Sequence, residues 1–178
     1  MVRAATNETK AAVDAFLSKK TESELVDSAP ELRKLLDACS VKHGQLTKEA
    51  AMGQGFDRHL FAMRIIAERK ARSNDSSLID VPPTEEEVNK VLPQFYKDKS
   101  YTDCNRFVLS TSSLYGEFFS GGGFGPVIQD GFGLGYGYVQ DRLGILCSSY
   151  KGHRDGNKLT EAFVKSLDMI RTVLEANQ

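Results

Sequence analysis

Three groups of residues in this chain have the types and spacing for chemistry. The first is Leu109-Ser110-Thr111-Ser112, followed by Gly121-Gly122-Gly123-Phe124-Gly125-Pro126-Val127. Side chains alternate across a strand, so Ser110 and Ser112 point one way and Thr111 the other. Two hydroxyls beside a glycine-opened aromatic wall suit a small polar substrate lying next to a long apolar one. Ser and Gly are also ordinary turn residues, and a Ser/Thr-rich strand end with a glycine loop accounts for the same residues. The second group is Asp57-Arg58, which interrupts an apolar stretch between Phe56 and Leu60-Phe61. A charge on a buried helix is costly unless paired. Two readings stay open: an ion pair that fixes helix packing, or an arginine fork awaiting a carboxylate. The third group is the histidines, since a general base is most often His. His43 precedes Gly44 in a polar turn, His59 follows Arg58, and His153 lies in a charged loop. None has a nucleophile and an orienting acid at a known catalytic spacing, so a structural or solvated role is expected for each.

These residues need elements to hold them. Thr6 or Asn7 can cap a first helix running to about Lys19. From Pro30 comes the longest helical stretch, with Leu32, Leu35, Leu36 and Cys39 on one face. Leu46, Ala50, Gly53, Phe56, Leu60, Met63 and Ala67 then recur at helical spacing. Phe61, Ile65 and Ile66 widen that stripe, which predicts a largely buried second part. Arg72 to Ser77 is a polar loop, Pro82-Pro83-Thr84 opens a short helix through Glu87 and Val91, and Pro93 breaks or restarts it. The second half changes character. Phe107 to Ser112 reads as a strand, and Gly131 to Val139 alternates glycine with large residues, leaving one strand face bare. Gln140-Asp141-Arg142 predicts a tight turn into a partner strand, Leu143 to Tyr150. A closing helix carries Leu159, Phe163, Leu167, Ile170 and Leu174 on one face. The expected class is α/β: a helical N-terminal half, then mixed-sheet strands, then one closing C-terminal helix.

Composition excludes several function classes. A net charge of −1 with both signs mixed along the chain gives no footprint for nucleic acid. No apolar run approaches the length of a membrane span, and the N-terminus has neither a secretory nor a transit pattern. Met1 to Thr6 reads like the interior of a longer protein. Cys39, Cys104 and Cys147 are odd in number and far apart, which predicts reduced intracellular thiols. They also lack the close ligand pairs that a zinc site requires, so no metal is expected. The glycine runs at 121–125 and 131–137 lack the Lys-Ser/Thr ending of a phosphate-binding loop, which discounts nucleotide binding by that route.

Four motifs occur in a telling order: Gly53-Gln54-Gly55-Phe56-Asp57-Arg58-His59-Leu60-Phe61, Leu109-Ser110-Thr111-Ser112, Gly123-Phe124-Gly125-Pro126-Val127 and Asp130-Gly131-Phe132-Gly133. With Ser148-Ser149-Tyr150 and the final amphipathic helix, they resemble the C-terminal part of the choline/carnitine acyltransferase family over nearly the whole of residues 1–178. His43 to Met52, running into the first motif, is similar to the palmitoyl-type branch of the mitochondrial inner membrane.

The resemblance implies a partial chloramphenicol-acetyltransferase-like domain, in a family that moves acyl groups reversibly between coenzyme A and carnitine in fatty-acid oxidation. It implies that Arg58 binds the carnitine carboxylate. Ser112 then steadies the tetrahedral oxyanion, with Ser110 beside it at the carnitine site. Phe124 and Val127 pack round the trimethylammonium group, where an aromatic face favours a cation. Ser113 matches a coenzyme A contact. Gly122 leaves the acyl groove open where short-chain relatives carry a bulky residue, so medium or long acyl chains are expected. The partners implied are carnitine and an acyl-CoA co-substrate, with no permanently bound cofactor and no membrane-association segment in this part. The family's catalytic histidine, and the lysines that hold coenzyme A, lie upstream of everything in this sequence. The chain by itself is therefore expected to be inactive. The alternatives are a catalytically inert fragment acting as an interaction module and an unrelated small-molecule-binding domain. The resemblance further requires Arg58 and Ser112 to face one cavity.

Overall fold

In the computed structural model, residues 3, 5–72, 84–113, 122–139 and 142–176 are described. They fall into two units, one of residues 1–98 with 169–178 and one of residues 99–168.

The first unit is helical. Its first helix, α1 (Asn7–Ser18), is capped by the Thr6 hydroxyl, which accepts the Thr9 N–H at 3.2 Å. Ala12 and Phe16 sit one turn apart and both are buried. A reciprocal capping box between Thr21 and Glu24 starts α2 (Glu22–Asp27). Backbone N–H donation from Lys20, then from Thr21, holds the Glu24 carboxyl below its ordinary pKa. Next comes α3 (Ala29–Ala51). The core joins Phe16, Leu25, Ala29, Leu32 and Val173, with Leu35 and Leu36 packed against it. The face expected from Leu32, Leu35 and Leu36 is thus the one used.

The long apolar stripe beyond it breaks. Gly53 takes φ +74°, its N–H donates to Ala50 O, and the Gln54 N–H donates to Glu49 O at 2.9 Å. This pair of bonds is the Schellman stop, which glycine satisfies without a Cβ penalty. Gly53 therefore ends a helix rather than continuing a stripe, and α4 (Phe56–Arg72) starts afresh. The expectation of burial fails there as well. Phe56 and Phe61 are each 62% exposed, and Met63 and Ile66 are about half exposed. His43 and Gly44, expected in a turn, lie inside α3.

Thr84 and Glu87 form a second capping box for α5 (Glu85–Val91), and Pro93 restarts the chain as α6 (Gln94–Lys97). Tyr96 donates its hydroxyl to Leu60 O at 3.0 Å. The expected loop at 73–77, Pro82-Pro83, Gly121 and the turn residues Gln140-Asp141 lie outside the described residues.

The second unit holds α7 (Lys99–Cys104) and three strands, β1 (Leu109–Ser113), β2 (Phe132–Val139) and β3 (Arg142–Ser149). The sheet order is β1-β2-β3, with β1 parallel to β2 and β2 antiparallel to β3. A parallel pair cannot be closed by a two-residue hairpin. The last helix, α8 (Gly156–Glu175), uses a different face at its end from the expected one. Val173 is fully buried with Met169, Ile170 and Ala176 beside it, whereas Leu167 and Leu174 are exposed. The closing sequence offers two apolar stripes, and the helical core takes Met169-Ile170-Val173-Ala176. Arg33 secures that turn by donating to Val173 O at 2.9 Å and to Leu174 O, two of the carbonyls a helix end leaves unpaired.

Candidate functional site

The sheet unit brings together most of the residues singled out in the sequence. In register, Ser110 lies beside Gly133 and Ser112 beside Gly135. Across the hairpin, Gly133 faces Ser148 and Gly135 faces Leu146. Side chains of register partners share a sheet face. Ser110 and Ser112 therefore stand on the glycine face, and Thr111 on the other, as the alternation predicts. Both serines are half-buried, and their neighbours Leu109, Thr111 and Ser113 are exposed.

Neither the Ser110 nor the Ser112 hydroxyl has a hydrogen-bond partner among the described residues. Nor is either sealed from solvent, since among the described residues no buried side-chain oxygen goes unpaired. A half-buried, unengaged, accessible hydroxyl is a donor still free to meet an incoming oxygen.

The glycine face is not the open groove that a bare strand suggests. Segment 122–125 lies across it. A Cβ on Gly133 would stand 2.5 Å from Phe124 O, and one on Gly135 would overlap the Gly122 carbonyl. The bare face of β2 makes room for the protein's own backbone, with the two serines on the adjoining strand. Gly122 and Phe124 are half-buried there, whereas Val127 is 61% exposed. Beyond this segment, Asp130 is held by Arg106, and its backbone carbonyl accepts Arg154 Nε at 2.8 Å. This fixes the turn that leads into β2.

On the opposite face, Cys147 and Ser149 approach the start of α8 at Gly156. Burial raises the Cys147 pKa, opposed by a hydrogen bond from Thr160, so this thiol is poorly nucleophilic. No disulfide joins the three cysteines.

Arg58 stands in the helical unit, on the first turns of α4. Its neighbour Asp57 is paired with Arg3, whose guanidinium also lies 5.9 Å from the Phe56 ring centre. The two readings of Asp57-Arg58 thus divide between the residues. Asp57 makes the packing ion pair, with a side chain only 14% exposed. Arg58 has no ion pair among the described residues. It is exposed, not buried as its apolar setting predicted, and so are Phe56, Phe61, Met63 and Ile66 around it on α4. His43, His59 and His153 are all exposed, and no side-chain hydrogen bond engages any of them among the described residues. Among the described residues no cluster of His, Cys, Asp and Glu could hold a metal, and no helix is long and apolar enough to cross a membrane.

Residues 1–168 match the sequence profile of the Choline/Carnitine o-acyltransferase family. The chain belongs to that family. It is 45% identical over 174 residues to mitochondrial carnitine O-palmitoyltransferase 2 of Xenopus tropicalis, covering 98% of this chain and 23% of that protein. The Homo sapiens counterpart is 39% identical over the same shares. A peroxisomal carnitine O-octanoyltransferase of Rattus norvegicus is 29% identical, covering 82% of this chain and 21% of that relative. The chain thus spans about a quarter of the length of the relatives it matches, and its mixed α/β architecture is a partial acyltransferase domain.

The structure also shows a residue whose part the sequence did not suggest. Ser148 Oγ lies 2.5 Å from Phe124 O. Its position opposite Gly133 becomes visible only once the hairpin register is known.

Proposed function

We propose that this chain is the carnitine and oxyanion side of a palmitoyl-type carnitine acyltransferase site. The observation that carries the reading is the pair of unengaged, half-buried hydroxyls of Ser110 and Ser112 beside the 122–125 segment. In the forward reaction the carnitine hydroxyl oxygen attacks the thioester carbonyl of an acyl-CoA. Its proton goes to a general base. The carbonyl oxygen becomes an oxyanion, to which Ser112 donates. Collapse breaks the carbon–sulfur bond, and the departing thiolate takes the proton back from the base. Arg58, unpaired and exposed, supplies a guanidinium for the carnitine carboxylate. Ser110 lines the same site, Phe124 and Val127 surround the trimethylammonium group, and Ser113 meets coenzyme A.

The base is assigned, as the family resemblance implies, to a histidine upstream of these residues rather than to His43, His59 or His153. The palmitoyltransferase relatives are named as mitochondrial, and the same compartment is proposed here.

The purified chain is expected to show no palmitoyl transfer from palmitoyl-CoA to carnitine. A chimera joining it to the upstream part of the Xenopus tropicalis relative is expected to restore transfer. Turnover by the chain alone would overturn the assignment of the base. A chimera that is folded by circular dichroism yet silent would overturn the acyltransferase reading. It would favour the interaction module instead, for which the exposed Phe56, Met63 and Ile66 on one side of α4 offer apolar contacts.

In the active chimera, Gly122→Met is expected to lower the ratio of palmitoyl to acetyl transfer by about tenfold or more. An unchanged ratio would remove Gly122 from the acyl groove.

A further inference from the structure

The segment 122–125 is three-quarters glycine, a composition that by itself would leave its backbone free to wander. Among the described residues, one hydrogen bond holds the 122–127 stretch: Ser148 Oγ to Phe124 O, at 2.5 Å. The same oxygen lies 3.3 Å from Gly133 O. A serine has a single hydroxyl proton, so the shorter contact is the donated one.

The surroundings are shaped for that bond. Gly133, beside Ser148 in register, has no Cβ, and one placed there would come within 2.7 Å of Ser148 Oγ and 2.5 Å of Phe124 O. Leu146, two residues before Ser148 on the same strand face, packs against Gly123, and the Tyr150 hydroxyl lies close to Gly125. β3 and the residue after it thus present three side chains to the segment, and among the described residues only Ser148 makes a directional bond to it.

We propose that Ser148 is a positioning residue: its hydroxyl seats the 122–125 segment on the glycine face of β2 and so fixes where Phe124 and Gly122 meet the substrate. The seating is independent of any ligand. Its consequence for carnitine and the acyl chain rests on the function proposed above.

Two measurements separate the seating from that function. In the 178-residue chain, nitrogen relaxation of the Gly123 and Phe124 amides is expected to report an ordered segment. Ser148→Ala is expected to make it mobile, and Ser148→Thr, which keeps the hydroxyl, to restore order. In the active chimera, Ser148→Ala is expected to raise KM for carnitine about tenfold or more while kcat falls less than threefold, again rescued by Ser148→Thr. The split follows because Ser112 is untouched.

Unchanged amide order in Ser148→Ala would overturn the proposal whatever the chimera does. Mobile amides with KM unmoved in an active chimera would reduce Ser148 to a structural residue and overturn its role at the site. A folded but silent unsubstituted chimera with mobile amides in Ser148→Ala would sink the carnitine reading and leave the seating standing.

Discussion

Ser112→Ala, in a chimera that turns over, is expected to lower kcat by about 10²–10³-fold, with KM for carnitine changed little. Removing one preorganised donor to a tetrahedral oxyanion costs roughly 3–4 kcal/mol in the transition state. The donor here has three features that support an effect of that size. It sits in a strand rather than on a loop, with Gly135 as its register partner, so its Cα position is held by the β1–β2 ladder. It is half-buried, which limits competition from bulk water. It spends its proton on no other group among the described residues. Ser110→Ala is the matched control, on the same face two residues away and assigned to carnitine rather than to the oxyanion. It should act mainly on KM. Equal kcat losses from both substitutions would mean that the two hydroxyls are not divided between substrate binding and the oxyanion, and the assignment of Ser112 would fall.

The legible parts of this molecule were those governed by local rules. Thr6, read as a cap, and Thr84, read as a helix start, both do cap, whereas α2 and its Thr21 cap went unread. The alternation in Leu109 to Ser112 placed both serines on one face before any register was known. The strongly periodic start of α3 gave its buried side correctly. What escaped was set by partners distant in sequence. Nothing in Ser148-Ser149-Tyr150 says that Ser148 will meet the Phe124 carbonyl 24 positions earlier. That needs the β2–β3 register and the placement of the 122–125 segment together. The stripe through Gly53 misled because helical spacing counts positions and not backbone conformation, and a glycine at the right interval can equally be a stop. The faces of α4 and of the end of α8 were misjudged for a common reason. Periodicity shows which side of a helix could be covered, and only the neighbours decide whether it is.

Gly135→Ala is expected to destabilise the sheet unit by about 2–3 kcal/mol or more, the range for forcing atoms into a filled space. At Gly133 and Gly135 the side of β2 that carries no side chains lies against the backbone of 122–125. A methyl on Gly135 would overlap the Gly122 carbonyl oxygen and stand 3.2 Å from its carbon and 3.5 Å from the Gly123 Cα. None of these atoms is the end of a rotatable side chain, so the strain cannot be relieved by a rotamer change. Either β2 shifts against its partners or the 122–125 segment lifts from its seat and breaks the Ser148 bond. Gly144→Ala provides the comparison. It lies on β3 in the same sheet, pairs with Gly137, and a Cβ there meets nothing within 4 Å. Its loss of unfolded-chain freedom should make it neutral or slightly stabilising. At about 2–4 °C per kcal/mol for a chain of this size, the two variants should differ by roughly 4–12 °C in Tm. Gly133→Ala should fall between them, because of the three atoms it crowds Ser148 Oγ can rotate away, while the Phe124 and Gly125 carbonyl oxygens cannot. Equal melting of Gly135→Ala and Gly144→Ala would show that the segment does not rest on the strand. The glycine face would then be an open channel, and the acyl chain could run along β2 itself rather than past Gly122.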